Sequence, residues 1–215
     1  MEARRTVLLV QVNVEVRRST ASRVRREQII DATVGTLAEV GFARCSFVEI
    51  MKRAGLSSTR LISYHFESRD ELMAQVAFRV VEQLGTVVEV AVRAAESPGD
   101  AVRAYVEANL GYMDTHRAQM TALTELVFTG GLKVSPEQGS SGVDALTAII
   151  ADACSSGQFR DVDPYVAATI VQRSVEGAAL LLRDDPKIDL AGHAAELVRF
   201  FDAALTRVPR EEATS

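Results

Sequence analysis

The sequence predicts an all-α protein. Ala, Leu, Glu, Arg and Val dominate the chain, and apolar residues recur at helical spacing between capping residues and Gly/Pro positions. Hydrophobic residues make up 47% of the 215, which excludes a disordered chain. Cys45 and Cys154 give neither a disulfide framework nor a metal spacing, and the apolar stretch near the start is too short to span a bilayer. We therefore expect a soluble, cytoplasmic protein without a membrane segment, a cofactor or a metal.

Three short helices come first, over residues 22–40, 46–53 and about 57–66. Gly41 stands where the first helix should end, because glycine takes a positive φ without strain. Ser46 and Glu49 form a capping box that opens the second helix. Gly55 breaks that helix, and Ser57 is the predicted cap of the third.

Longer helices follow. Ser68 and Glu71 form a second capping box, which opens a long helix. Ser97 and Asp163 each precede a proline at the first position of a helix. The predicted helices after the first three are about 68–95, 99–114, 117–129, 142–155, 164–184 and 189–206, with one long loop over 130–142. Residues 6–16 are β-branched and partly alternating, which fits a strand, a disordered arm or translation from an upstream start codon equally well.

Charge differs between the two ends of the chain. The net charge is −5, but residues 1–70 carry 12 Lys and Arg against 8 Asp and Glu, whereas residues 71–215 carry 12 against 21. A basic end on an acidic body indicates contact with a polyanion, although chance clustering of surface charge would give the same counts.

The second and third helices have the spacing of a DNA-binding helix-turn-helix. Ile50 and Ala54 are expected to face inward, and Gly55 makes the turn. Leu56 and Leu61 pack the third helix on the second. Short hydroxyl side chains and an arginine follow, which suit phosphates and base edges. An ordinary helical hairpin with a polar exposed face has the same spacing.

Residues 26–73, REQIIDATVGTLAEVGFARCSFVEIMKRAGLSSTRLISYHFESRDELM, carry a specific set of landmarks. These are Ile29-Ile30, Ala32, Gly41-Phe42, Ile50, Ala54-Gly55-Leu56-Ser57, Tyr64-His65-Phe66, Arg69 and Leu72. Together they resemble the N-terminal domain of the tetracycline-repressor (TetR) family. The resemblance implies an all-helical homodimer with a DNA-reading head and a ligand-binding body, in which a small molecule releases a repressor from its DNA.

Three features depart from the common family pattern. The stretch from Gly55 to Phe66 is one residue longer, so the register of the DNA-reading side chains is open. Met51 stands where a small residue is usual, and Ser58-Thr59 replaces a frequent Lys-Gly or Pro-Gly. The segment of about twenty residues before the first helix is longer than usual, and it is basic. Such an arm can enter the minor groove or lie along phosphates, or it can be a solvated terminus.

Within the head, Thr59 and Arg60 are the predicted base contacts, because arginine can bind guanine bidentately. Tyr64 and His65 are predicted phosphate contacts, and Arg69 can act in the same way. The complete predicted DNA-binding set is Arg23, Arg25, Ser46, Ser57, Ser58, Thr59, Arg60, Ser63, Tyr64, His65 and Arg69.

The last two helices carry the predicted dimer interface, as the resemblance implies. One has an apolar stripe and the other has small residues that permit close approach, although an intrachain core would show the same pattern. The predicted interface residues are Ser174, Gly177, Ala178, Leu181, Leu197 and Phe201.

An effector pocket is predicted among the other helices of the body. Its predicted lining is Tyr105, Met113, Met120, Leu123, Phe128, Ile149, Ile170 and Arg173, each of which plain core packing would also explain. Such walls favour a largely apolar effector. Arg173 and Glu176 need partners in an apolar helix, either each other or a polar ligand atom. The long helix from Ser68 is the only predicted rigid connection, so we expect it to carry movement between body and head.

The sequence as a whole predicts a helix-turn-helix DNA-binding domain followed by a helical ligand-binding and dimerisation domain. The expected divisions are an extension over 1–21, the head over 22–68, the body over 69–208 and a tail over 209–215. The expected partners are double-stranded operator DNA with an inverted repeat, a small-molecule effector and a second copy of the chain. The expected function is that of a repressor, which the effector releases from its operator. One alternative is a helical ligand-binding or interaction protein with a non-functional head. The other is an all-helical enzyme, which no spacing of catalytic residues favours.

Overall fold

The computed structural model describes residues 20–129, 131–132 and 141–207. Within these ranges the chain forms nine α-helices, which confirms the all-α prediction, and the only β-type pairing is an isolated bridge between Phe159 and Thr206. The helices are α1 (Thr20–Arg44), α2 (Phe47–Arg53), α3 (Arg60–His65), α4 (Arg69–Ala94), α5 (Pro98–Thr115), α6 (Arg117–Phe128), α7 (Ser141–Ser155), α8 (Pro164–Asp184) and α9 (Leu190–Leu205). The predictions for 1–19, 209–215 and most of the 130–142 loop lie outside the described residues.

The capping residues named from the sequence fix several helix ends. Ser46 Oγ accepts the Glu49 N–H at 3.3 Å, and Ser68 Oγ accepts the Glu71 N–H at 3.0 Å, so both serines cap their helices at the predicted places. Gly41 has φ 73° and ψ 169°, which ends the regular part of α1 there and confirms the predicted positive φ.

The beginning of α3 differs from the prediction. The helix starts at Arg60 rather than near Ser57, and the predicted Ser57 cap is wrong. Ser58 Oγ accepts the Arg60 N–H at 3.1 Å instead. The turn from α2 to α3 therefore occupies residues 54–59.

The buried side chains form two clusters. The head cluster joins α1, α2, α3 and the first two turns of α4, and it also contains Ala122 and Leu126 of α6. The body cluster runs from Val80 to Leu205, and α5 packs in it against α4, α7, α8 and α9. The first turns of α4 thus pack with the head, although the sequence places the boundary at residue 68. Nowhere in the described part of the chain is a helix long and apolar enough to cross a membrane.

Candidate nucleic-acid interface

Two adjacent helices of the head have the packing expected of a helix-turn-helix. Ile50 of α2 and Ile62 of α3 are completely buried between the helices, and Ala54 and Leu56 are buried in the turn. Gly55 has φ 63°, which a side chain would strain, and it supplies the tight bend after α2. The predicted inward positions in this motif are confirmed.

One face of α3 points away from the head. Arg60, Ser63 and Tyr64 are exposed at the helical spacing i, i+3 and i+4, and Glu67, which follows the end of α3, is exposed as well. Tyr64 is 79% exposed, so its ring is not part of the head's core. No ion pair of the described residues engages Arg60, whose guanidinium is left to solvent.

The other predicted hydroxyl contacts differ in exposure. Ser46 and Ser57 are exposed, whereas Ser58 and Thr59 are half-buried in the turn before α3. Ser58 Oγ is engaged with the Arg60 N–H, and Thr59 O accepts the Ile62 N–H at 3.0 Å. Of the two predicted base contacts, Arg60 has an exposed side chain, whereas half-buried Thr59 lies at the edge of the exposed face.

The arginines of α1 divide into two kinds. Arg23 and Arg25 are exposed, and Arg25 Nη1 donates to Gln28 Oε1 at 2.6 Å. Arg26 instead turns into the head, where its guanidinium lies 4.1 Å from the centroid of the Phe66 ring and donates to the carbonyl oxygen of His65. Arg26 therefore stabilises the contact between α1 and α3 and is not part of an exposed basic arm.

Two predicted phosphate contacts prove to be occupied inside the head. His65 is 6% exposed, and its Nδ1 lies 3.5 Å from Ser22 Oγ of α1, so the ring joins two helices. The Arg69 guanidinium lies 4.1 Å from the centroid of the Phe42 ring, and its Nη2 donates to Phe42 O at 2.8 Å. Both side chains serve packing between helices. The burial of His65 corrects its assignment as a phosphate contact, whereas the assignment of half-buried Arg69 stays a prediction.

The predicted effector lining separates into an interior and an exterior set. Tyr105, Met113 and Met120 are buried in the body cluster, and Leu123 and Ile149 pack against it. The remaining three predicted lining residues, Phe128, Ile170 and Arg173, have exposed side chains. These three therefore do not line the interior of the body, which corrects their assignment as pocket residues.

A polar chain that the sequence did not reveal crosses from α5 to α8. Tyr105 Oη donates to Gln172 Oε1, and Gln172 Nε2 donates to Glu176 Oε1 at 2.8 Å. Arg173 pairs with the same carboxylate, which confirms one of its two predicted pairings. Burial and the Glu176 charge raise the pKa of Tyr105 to about 12. The spacing of Gln172 and Glu176, one helical turn apart, is the signal that could have identified this chain.

The predicted dimer residues also divide. Ala178 and Phe201 are buried in the body's own core, so their assignment to an interface with a second chain is corrected. Ser174, Gly177 and Leu197 are half-buried, and Leu181 is exposed. The large apolar side chains that α8 and α9 leave exposed are Tyr165, Val166, Ile170, Leu181 and Phe200.

By its fold and its exposed α3 face, this chain is a helix-turn-helix protein with a helical body. Residues 29–76 match the family of bacterial regulatory proteins called the tetR family. The helix-turn-helix lies inside that match. The resemblance seen in the sequence is confirmed over these residues, which carry the tetR-family domain.

The curated relatives that match this chain include HTH-type transcriptional regulators. The HTH-type transcriptional regulator BetI 1 of Chromohalobacter salexigens is 32% identical over 98 residues, covering 45% of this chain and 48% of that protein. BetI of Yersinia pestis strain Pestoides F is 31% identical over 116 residues, covering 53% of this chain and 57% of that protein. The chain thus spans about half the length of the curated relatives it matches.

Solved structures share the whole architecture. A TetR-like transcriptional regulator from Rhodococcus sp. RHA1 has a TM-score of 0.68 at 20% identity, with 88% of this chain and 99% of that chain covered. AibR, solved in complex with isovaleryl coenzyme A and operator DNA, has a TM-score of 0.67 at 17% identity, with 82% and 97% covered. At these identities the likeness shows a common fold.

Proposed function

We propose that this protein is a cytoplasmic, DNA-binding transcriptional repressor that a small-molecule effector releases from its operator. The observation that carries the proposal is the exposed face of α3, where Arg60, Ser63 and Tyr64 project from a packed helix-turn-helix. A helix in this position of the motif enters the major groove, and its exposed side chains reach the base edges.

Within that groove, Arg60 is the proposed base contact, because its guanidinium carries no intramolecular ion pair in the described residues. Arginine binds guanine through O6 and N7 together, which gives a sequence preference. Ser63 and Tyr64 flank it. Arg23, Arg25 and Ser46 are the proposed phosphate contacts, since phosphate contacts orient a head without selecting sequence.

A second copy of the chain is the proposed partner of α8 and α9. Val166, Ile170 and Leu181 lie along one side of α8 and are about half exposed, and Phe200 of α9 is 65% exposed. Covering these side chains with the same face of a second chain would remove apolar surface from water. Two heads held in this way would read two half-sites, about 34–36 Å apart or a multiple of that distance.

The body is the proposed effector-binding part. The AibR structure holds isovaleryl coenzyme A together with operator DNA, and it shares this chain's fold. In this chain the interior around Tyr105, Met113 and Met120 is apolar, with one polar chain from Tyr105 to Glu176. We propose a largely apolar effector that exchanges hydrogen bonds with that chain.

DNA selection from a random library tests the proposal. The full-length protein is expected to enrich an inverted repeat, because two identical heads would bind it. Affinity for the selected DNA should fall roughly 10³-fold or more between about 50 and 200 mM salt, since several phosphate contacts release counterions. A protein that enriches no sequence, or whose binding does not respond to salt, would contradict the proposal and favour the alternative of a non-functional head.

A further inference from the structure

The body contacts the head through α6 as well as through α4. Ala122 and Leu126 of α6 are completely buried among the side chains of the head cluster. The same helix packs against α5 and α8 in the body. The expectation that the long helix is the only rigid connection is therefore wrong, because α6 is a second one.

The backbone at Phe42 is held by both connections. Its N–H donates to Glu125 Oε2 of α6 at 3.1 Å. Its carbonyl oxygen accepts from Arg69 Nη2 of α4 at 2.8 Å, and the Arg69 guanidinium covers its ring. One residue at the corner between α1 and α2 is thus bonded on one side to α6 and on the other to α4.

Gly41 makes the bond to α6 possible. A Cβ at this position would lie 3.2 Å from Glu125 Oε2, closer than most side-chain contacts, and the φ of 73° is itself unfavourable for other residues. Glycine therefore lets the Glu125 carboxylate approach the end of α1. α2 begins six residues further on, at Phe47, so the direction of the chain at this corner sets the direction of the helix-turn-helix.

We propose that Glu125 is a positioning residue through which α6 sets the orientation of the helix-turn-helix relative to the body. Glu125 is the only acidic residue of α6, and the other α6 side chains in the head cluster are apolar. Apolar contacts tolerate sliding, whereas a hydrogen bond to a carboxylate is directional and strong. A displacement of α6 within the body is therefore passed to the Phe42 peptide. For its effect on DNA reading, this inference rests on the proposed function.

Hydrogen exchange in the full-length protein tests the joint without DNA. The amide of Phe42 is followed by NMR in ¹⁵N-labelled wild type, Glu125→Ala, Glu125→Gln and the control Glu107→Gln, which changes an exposed carboxylate of α5. Alanine removes the acceptor, so Phe42 exchange should accelerate about tenfold or more. Glutamine keeps an oxygen at the same place and should give a smaller increase. The control should match the wild type.

An unchanged Phe42 exchange rate in Glu125→Ala would overturn the joint. Two controls separate this local effect from general destabilisation. General destabilisation would lower the unfolding temperature measured by circular dichroism, and it would accelerate the exchange of an amide on α7 as much as that of Phe42. If only a uniform acceleration occurs in both Glu125 variants, the positioning role is also overturned.

DNA binding then tests the orientation. The wild type and the variants are titrated with the selected inverted repeat and with repeats whose spacer is one base pair shorter or longer. If the heads are held less firmly in Glu125→Ala, the ratio of its DNA affinities for the three spacers should shrink at least about threefold relative to the wild type. Glu125→Gln should recover part of that ratio. Equal weakening on all spacers would overturn the positioning role. A wild type that selects no DNA would refute the proposed function, while the exchange result would still decide whether the joint exists.

Discussion

The hydroxyl of Tyr105 on α5 donates a hydrogen bond to Oε1 of Gln172 on α8, in the interior of the body. Tyr105 is 4% exposed, so its ionised form would be separated from water. The pKa of Tyr105 is raised from 10.0 to about 12, mainly by burial and to a smaller extent by the nearby Glu176 charge. The contact between the two helices thus depends on a hydroxyl that must keep its proton.

Alkaline pH is expected to destabilise the protein through this residue. Below pH 10 the hydroxyl is protonated in both the folded and the unfolded chain. Above it the unfolded chain loses its proton first, so the free energy of unfolding falls as pH rises towards about 12, by about 2–3 kcal/mol from Tyr105 alone. Urea unfolding at about pH 9 and about pH 11.5 measures the difference.

Tyr105→Phe should lose less stability between these pH values than the wild type does. Tyr165→Phe is the matched control, because Tyr165 is 60% exposed and should show the wild-type dependence. If Tyr105→Phe and the wild type change in parallel, the hydroxyl is not buried as described.

Replacement of Arg60 should relax sequence preference. Arg60→Ala is expected to cost about 1–3 kcal/mol on the selected operator and to remove a guanine preference at one position in each half-site. Selection from a randomised half-site measures the preference directly. The control is Arg93→Ala, which removes an exposed arginine paired with Glu89 near the far end of α4. Equal weakening on every sequence would instead make Arg60 a phosphate contact.

A charge on the exposed face of α8 should separate the proposed dimer. Val166→Glu would place a carboxylate among apolar side chains of two copies, which should weaken the dimer by several kcal/mol because the buried charge has no partner. Sedimentation velocity should then report a monomer of unchanged helicity. Val90→Glu on α4 is the matched control, since Val90 is 64% exposed outside this face. A dimer that survives Val166→Glu but not Val90→Glu would place the interface on α4.

The two cysteines should react at different rates. Burial raises the pKa of the Cys45 thiol to about 11, although the nearby Arg69 charge acts in the opposite direction. At about pH 8 Cys45 therefore remains a thiol and should resist alkylation in the folded protein. Half-buried Cys154 should be labelled first. Mass spectrometry of peptides after brief iodoacetamide treatment distinguishes the sites, and rapid labelling of Cys45 without denaturant would contradict its burial.

Helix ends were predictable where a single residue could act as the cap. Ser46 and Ser68 each have one partner three residues later, and both caps form there. Before α3, three consecutive hydroxyl residues all favour a cap, so the sequence pattern could not select Thr59, which stands at the cap position without a side-chain cap bond, over Ser57. The family resemblance identified the head, but it does not specify which of these residues begins the helix.

The side chains that were assigned wrongly depend on distant partners. His65 and Ser22 are 43 residues apart in sequence, and the ring is buried only because α1 crosses α3. Helical periodicity placed Phe201 on the apolar stripe of α9, but it could not decide whether that stripe packs inside the chain or against a second copy. The structure buries Phe201 and leaves Phe200 exposed, which moves the proposed interface by one residue on α9.

The interlocking of the head with α6 has a consequence for protein engineering. Ala122 and Leu126 complete the head cluster although they lie about fifty residues beyond its last α4 member along the chain. A chimaera that fuses residues 20–77 to a foreign body would leave the space of these two side chains empty or filled by unsuited atoms. A transplantable form of the helix-turn-helix head described here is therefore discontinuous in sequence, because it comprises the head together with its own α6.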